Sequence, residues 1–303
     1  MRLVALLLFV CHLAHASGEP DAFALNGVGA RPAGMGGAFV GLADDIEAVY
    51  YNPAGLGNLK GSGFTAMYQT PSLETSRGFL AYDKAWNHHT LPGSAALGWL
   101  RLQSGDIELT NTDERVLGSD TLSNDLLLLA VGVKPFERIA LGVSVKYVRF
   151  SFNGFSESGL GFDLGAHAEV HVFRFGLALT DVNGTTLRGS SIEAGRPDAS
   201  DEIPMRLRPG MAVVLERPLR LPIDIHWLAD QMITLKGAQE TRLFTGLELW
   251  GFHKRAALRG GYQEASGPTL GAGVRIGRLQ FDYAYLFSLH LQDENRLGLT
   301  LRF

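Results

Sequence analysis

From about residue 61 onward the chain alternates with period two between apolar positions and small or polar ones. Residues 205–216 are the clearest stretch. Met205, Leu207, Pro209, Met211, Val213 and Leu215 share one parity; Arg206, Arg208, Gly210, Ala212, Val214 and Glu216 share the other. Residues 138–147 and 279–287 repeat the pattern, and the chain closes on Leu297, Leu299, Leu301 and Phe303 against Arg296, Gly298, Thr300 and Arg302. Successive side chains of a strand point to opposite faces, so each stretch predicts a strand with one apolar face.

Fourteen segments fit: 62–70, 77–86, 93–103, 122–133, 138–151, 159–169, 172–181, 205–216, 220–231, 240–250, 255–263, 268–276, 278–288 and 294–303. Each is near the ~9–11 residues that a tilted strand needs to cross a bilayer. The turn at 169–172 contains no turn-forming residue, which leaves a barrel of twelve strands as the alternative. Connections are short at 134–137, 217–219, 251–254 and 277, and long at 104–121 and 182–204. Short turns at one end and long loops at the other are the pattern of an outer-membrane barrel. A soluble sandwich has no reason to sort its loops this way. The expectation is an all-β transmembrane outer-membrane β-barrel of about 14 antiparallel strands, with both termini on the periplasmic side and outer-membrane lipids around it.

Composition agrees. Of 303 residues, 46% are hydrophobic and only 19% charged. The densest apolar run, 126–133, is far short of the ~18 residues of a helical span. A net charge of -4 gives no basic field for nucleic acid. At the start, Arg2, the apolar residues 3–10 and Ala14-His15-Ala16 read as a secretory signal, which predicts a mature chain from Ser17. Cys11, the only cysteine, leaves with it. Val10 before it does not fit a lipoprotein site. The expected division is 1–16 signal peptide, 17–60 N-terminal plug segment and 61–303 barrel. Residues 21–60 are rich in Gly and Ala and have room for one short helix near residues 44–50.

That N-terminal segment carries a recognisable series. Arg31-Pro32-Ala33-Gly34-Met35-Gly36-Gly37-Ala38-Phe39-Val40 is followed by Asp44-Asp45 and then by Tyr51-Asn52-Pro53-Ala54-Gly55-Leu56. The series resembles the N-terminal signature of the PorV/PorQ family, which is similar to the FadL-type outer-membrane transporters. Further similarity runs through 106–118, 141–147, Phe162-Asp163-Leu164-Gly165, Arg259-Gly260-Gly261-Tyr262, Phe281-Asp282-Tyr283-Ala284-Tyr285 and 296–303. The resemblance implies a fourteen-stranded barrel whose plug motif, Gly34, Gly36, Gly37, Asn52, Pro53 and Ala54, fills or lines the lumen. It implies no enzymatic activity and no cofactor. PorV-like members act with the type IX secretion system and carry exported cargo proteins; FadL-like members pass hydrophobic small molecules. The signature is common to both. The extent of the PorV/PorQ similarity puts the secretion role first and the hydrophobic-uptake channel second. The terminal aromatic, Phe303, is the kind of residue that barrel-assembly machinery reads as an insertion signal.

Other constellations carry less. Gly27-x-Gly29 reaches Pro32 where a dinucleotide loop needs glycine, and no strand precedes it. Asp163, Arg206, Arg208, Asp224, Glu248, Arg259, Asp282 and Arg296 are expected to face the lumen, with Glu169, Asp230, Arg255, Arg275 and Arg302 beside them. Mixed signs point to a paired ionic network holding the plug, because a selective pore tends to carry one sign. His167, Glu169 and His171 share a strand parity but straddle a turn, so they make a poor metal site. Ser288 and His290 stand two apart, as in outer-membrane lipid hydrolases, but in reverse order and on the lumen parity. With no third group to orient the imidazole, hydrolysis ranks last.

Overall fold

The computed structural model describes residues 21–72, 75–88, 91–110, 116–190, 200–218, 222–236, 240–288 and 292–303. The expected signal peptide lies outside them. Sixteen strands form: β1 (Ser62–Ser72), β2 (Thr75–Trp86), β3 (Gly93–Thr110), β4 (Val116–Phe136), β5 (Ile139–Phe152), β6 (Phe155–Val170), β7 (Phe173–Thr180), β8 (Thr185–Ser190), β9 (Ser200–Ile203), β10 (Arg206–Leu215), β11 (Asp224–Thr234), β12 (Thr241–Gly251), β13 (Ala256–Gln263), β14 (Gly267–Ile276), β15 (Leu279–Leu286) and β16 (Glu294–Arg302). Fourteen of them pair in antiparallel order and close on themselves through β1–β16 and β5–β6. The barrel has no free edge, which protects a sheet of this size from edge-to-edge pairing.

The two remaining strands, β8 and β9, form a hairpin that pairs with the outer end of β6. This corrects the expectation of an irregular loop over 182–204. The expected loop at 104–121 also shortens, because β3 and β4 stay paired up to Thr110 and Val116. The alternation of the β3–β4 extension is weaker because it stands clear of the apolar belt. Asn153 and Gly154, both at positive φ (48° and 71°), make a two-residue turn that carries β5 one residue and β6 four residues beyond their expected ends. The doubtful turn between β6 and β7 exists. His171 there adopts φ 56°, which an exposed histidine tolerates.

The faces follow the parity of the sequence. On β5, Leu141, Val143 and Val145 are exposed while Ala140, Ser144 and Val148 are buried. Leu129 on β4, a large aliphatic residue, is 58% exposed. An outward surface of this kind around the whole barrel is that of a protein whose solvent is hydrocarbon. No helix among the described residues is long and apolar enough to cross a membrane.

Candidate functional site

Residues 21–60 lie inside the barrel. They form α1 (Ala22–Leu25), α2 (Ala30–Gly34), α3 (Ala48–Tyr51) and a 3-10 helix (Pro53–Asn58), where the sequence suggested one helix near residues 44–50. None of these pieces is long enough to be stable alone. Glycines turn the chain between them: Gly27, Gly29, Gly36 and Gly37 all have positive φ. Asn52 starts the 3-10 helix. Its Oδ1 accepts from Ala54 N (3.1 Å), Pro53 fills the first position, and its Nδ2 donates to Ala166 O of β6 (3.1 Å) and Val40 O (3.2 Å). One fully buried amide therefore joins the start of the helix, the preceding loop and the wall.

The wall receives this segment through glycines of its own. Gly132, Gly142, Gly165, Gly176, Gly210, Gly246, Gly261 and Gly271 face inward, and a Cβ on any of them would come under 3.0 Å from the inner segment. They lie side by side: Gly132 pairs with Gly142 and Gly142 with Gly165, while Gly176 pairs with Gly210 and Gly246 with Gly261. Gly34 meets Gly271, Gly36 meets Gly261 and Gly41 meets Gly210, so backbone packs on backbone. The sequence reading placed glycines in the segment but overlooked this belt in the strands. The signal was available, since each of these glycines interrupts the inward parity of its strand.

Polar ties complete the seat. Arg31, buried on α2, pairs with Asp44 and Asp45 (2.6 Å each) and with Glu248 of β12 (2.8 Å). Glu248, 0% exposed, also binds Arg259 (2.8 Å) and His226 (2.9 Å), and Arg259 reaches Asp282 (2.8 Å). Asp230 accepts from Phe39 N and Val40 N (2.6 and 2.8 Å). Arg208 donates to Gly37 O and lies 4.3 Å from the Phe244 ring centre. Arg206 forms a two-pronged pair with Asp21, Arg296 donates to Asn26 O (2.9 Å), and Arg77 to Gly27 O (2.6 Å).

The eight expected lumen charges thus do not form one network. Glu248, Arg259 and Asp282 are contiguous. Arg206, Arg208 and Arg296 each hold a different stretch of the inner segment. Asp163 pairs with Lys146, which also reaches Asp181 (2.6 Å). Asp224 stands at the lower rim, accepting from Arg217 N and pairing with Lys254. Arg255 is exposed in the β12–β13 turn, and Arg302 is exposed at the last residue of β16. Arg255 leaves the lumen because β13 begins one residue after it, whereas Arg302 keeps the inward parity and lines the mouth of the lumen with Asp44, Asp45 and Thr300.

His167 binds the inner segment with both ring nitrogens. Nε2 donates to Gly41 O (3.0 Å), which leaves Nδ1 to accept from Asn58 Nδ2 (3.2 Å). His171 is exposed in its turn. His290 lies outside the described residues. Phe303 exchanges backbone hydrogen bonds with Ser62 (2.8 and 2.9 Å), and its ring is exposed on the outer face near Tyr82.

Glu47 is one of several buried groups with an unpaired polar atom. It is buried beside Gly29, and its Oε2 has no hydrogen-bond partner. Burial, reinforced by Asp45, holds its carboxyl well above the usual range.

Toward the outer end a cavity of about 70 Å³ separates α1 and the Tyr50–Tyr51 pair from β4, β5 and β10. Phe23, Leu126, Leu128, Val148 and Met232 line one side, and Asp21, Lys146, Asp181 and Arg206 the other. A channel for apolar molecules was expected to hold an apolar pocket of a few hundred cubic ångströms. This one is smaller because residues 21–26 occupy the space: Phe23 packs edge-on to Phe150, and Tyr50 OH donates to Ala24 O.

No protein-family model matches the chain, and no curated protein matches it in sequence. Its fold is that of solved FadL-type barrels. The Ralstonia pickettii toluene transporter TbuX superposes with a TM-score of 0.63 at 14% identity, covering 93% of this chain and 100% of that one. The CymD monoaromatic hydrocarbon channel gives 0.63 at 15%, covering 92% and 98%. A Pseudomonas aeruginosa FadL homologue gives 0.56 at 13%, covering 91% and 98%. The chain therefore shares with these barrels the fold of a closed fourteen-stranded antiparallel β-barrel, here with an N-terminal segment folded inside it.

Proposed function

We propose that this protein is an outer-membrane channel for hydrophobic small molecules and that residues 21–60 are its plug. The observation that carries the reading is the lumen itself. A segment made of short pieces, each unstable alone, occupies it through separable ties, and a cavity toward the outer end has an apolar wall. The whole-length likeness to barrels described as a toluene transporter and a monoaromatic hydrocarbon channel supports the same reading. This reverses the order reached from the sequence. The secretion role rests on the N-terminal motif, and the motif's residues here serve to seat the plug. The cavity is too small for an aromatic ring, since a ~150 Å³ cavity is the size that holds benzene. Passage therefore requires residues 21–26 to move. A non-enzymatic role, export by the signal at 1–16 and insertion read from Phe303 belong to the same proposal.

The test is saturable binding of a monoaromatic hydrocarbon and of a long-chain fatty acid to the purified barrel, followed by uptake into proteoliposomes. Leu128→Trp, which fills the cavity, is expected to abolish both. Absence of saturable binding, with exported proteins recovered on the barrel from solubilised membranes, would restore the secretion reading. Amino-terminal sequencing of the membrane form, expected to start at Ser17, tests the signal.

A further inference from the structure

The outward surface of β3 to β6 changes character across three successive register rows. The first row pairs Leu80, Trp99, Leu127, Tyr147 and Leu160. One step nearer the outer end, Arg101 pairs with Asp125, Asp125 with Arg149, Arg149 with Ser158, and Ser158 with Arg188 of β8. The next row is Gln103, Ser123, Ser151 and Ser156. Directly paired residues present their side chains on the same face. The aliphatic run of all four strands therefore stops at one row, and three arginines and one aspartate occupy that row.

The aspartate is already committed. Asp125 accepts from Trp99 Nε1 (2.9 Å) and lies 3.9 Å from Arg101. Arg149 and Arg188 are exposed and have no carboxylate in ion-pair range among the described residues. They flank one strand, so they stand roughly 10 Å apart. Trp99 and Tyr147 stand in the row immediately below, and aromatic residues at the end of the apolar band mark the level of lipid headgroups on a barrel. Arginine suits phosphate there: its stem lies along apolar surface and its fork presents two parallel donors.

We infer that Arg149 and Arg188, with Arg101 beside them, form a binding strip for the phosphate groups of outer-leaflet lipid headgroups. The inference rests on the outer-membrane reading, which heat-dependent gel mobility of the folded barrel checks separately. The probe is bis-phosphorylated lipid A, with its dephosphorylated form as control, each a minor component of phosphatidylcholine vesicles holding the full chain. Retention through detergent extraction is measured by mass spectrometry. We expect the phosphorylated form to be retained at least tenfold better, and Arg149→Gln/Arg188→Gln to remove most of that preference, since a basic residue at a charged membrane surface contributes on the order of fivefold. Arg255→Gln, exposed in the turn at the opposite end, should leave it unchanged. Equal retention of the two lipids would overturn the inference. So would an unaltered preference in the correctly folded double variant, an equal loss in Arg255→Gln, or displacement by inorganic phosphate at concentrations that leave the lipid's own affinity unexplained.

Discussion

The two faces of the same strands obey different rules. Outward, β5 carries Leu141, Val143 and Val145, and β4 carries Leu127, Leu129 and Val131, all exposed. These side chains meet a fluid solvent, so any residue of sufficient hydrophobicity serves. Inward, Gly142 of β5 has Pro53 against it and Gly132 of β4 has Pro53 and Leu56. Here the neighbour is a fixed backbone, and one added carbon is too many. The outer face is selected by solvent class and the inner face by shape, and substitutions can separate the two.

Gly142→Val should produce the largest effect. Its Cβ would meet the Pro53–Ala54 backbone, which sits in a buried helix start and cannot shift alone. The plug is expected to leave its seat. Ion conductance in planar bilayers, near zero for the wild type, should appear, and residues 21–60 should become sensitive to protease. Val143→Leu, one residue away on the other face, should change neither. If the two variants behave alike, the contrast between the faces is wrong.

Glu248→Ala comes next. It leaves Arg31 and Arg259 buried without their shared carboxylate, a loss of about 3–5 kcal/mol for a broken buried pair. The denaturant midpoint for release of the plug should fall, while the barrel still migrates as a folded species. Replacing Arg31 by methionine as well should cost more than Glu248→Ala alone, because Asp44 and Asp45 then lose their cation too.

The outer face has its own sensitive substitution. Leu129→Arg puts a charge within the apolar run and should cost about 2–4 kcal/mol of barrel stability in lipid, whereas Leu129→Ile should stay within about 0.5 kcal/mol. Refolding titrations into bilayers measure both.

The smallest expected effect depends on pH. Glu47 is protonated inside the barrel over a range where the free chain would ionise it. Its folded-state pKa is raised, so the stability of the seat is fully present below the ordinary glutamate value and is lost as pH rises through the raised one. Hydrogen exchange of residues 40–58, corrected for intrinsic rate, should show more frequent opening at higher pH. Glu47→Gln should flatten the dependence; an unchanged slope would remove Glu47 from the argument.

Period-two alternation determined the barrel, because strand parity is a local property that each segment states for itself. It was enough for fourteen strands, for their faces and for a segment that could not be a strand pair. Parity weakens where one face is no longer buried, so the extensions of β3 and β4 are not marked by it; β8 does alternate, with Thr185 and Leu187 buried, but six residues are too few for the pattern to stand out. The N-terminal series that carries the resemblance also contains Arg31, the two aspartates and Asn52. Their partners were another matter. Arg31 with Glu248, Asn52 with Ala166 and Gly36 with Gly261 join residues more than a hundred positions apart. Only closure of the sheet and folding of the segment into it decide which inward glycine meets which backbone, because that depends on register around the whole barrel and on no local preference.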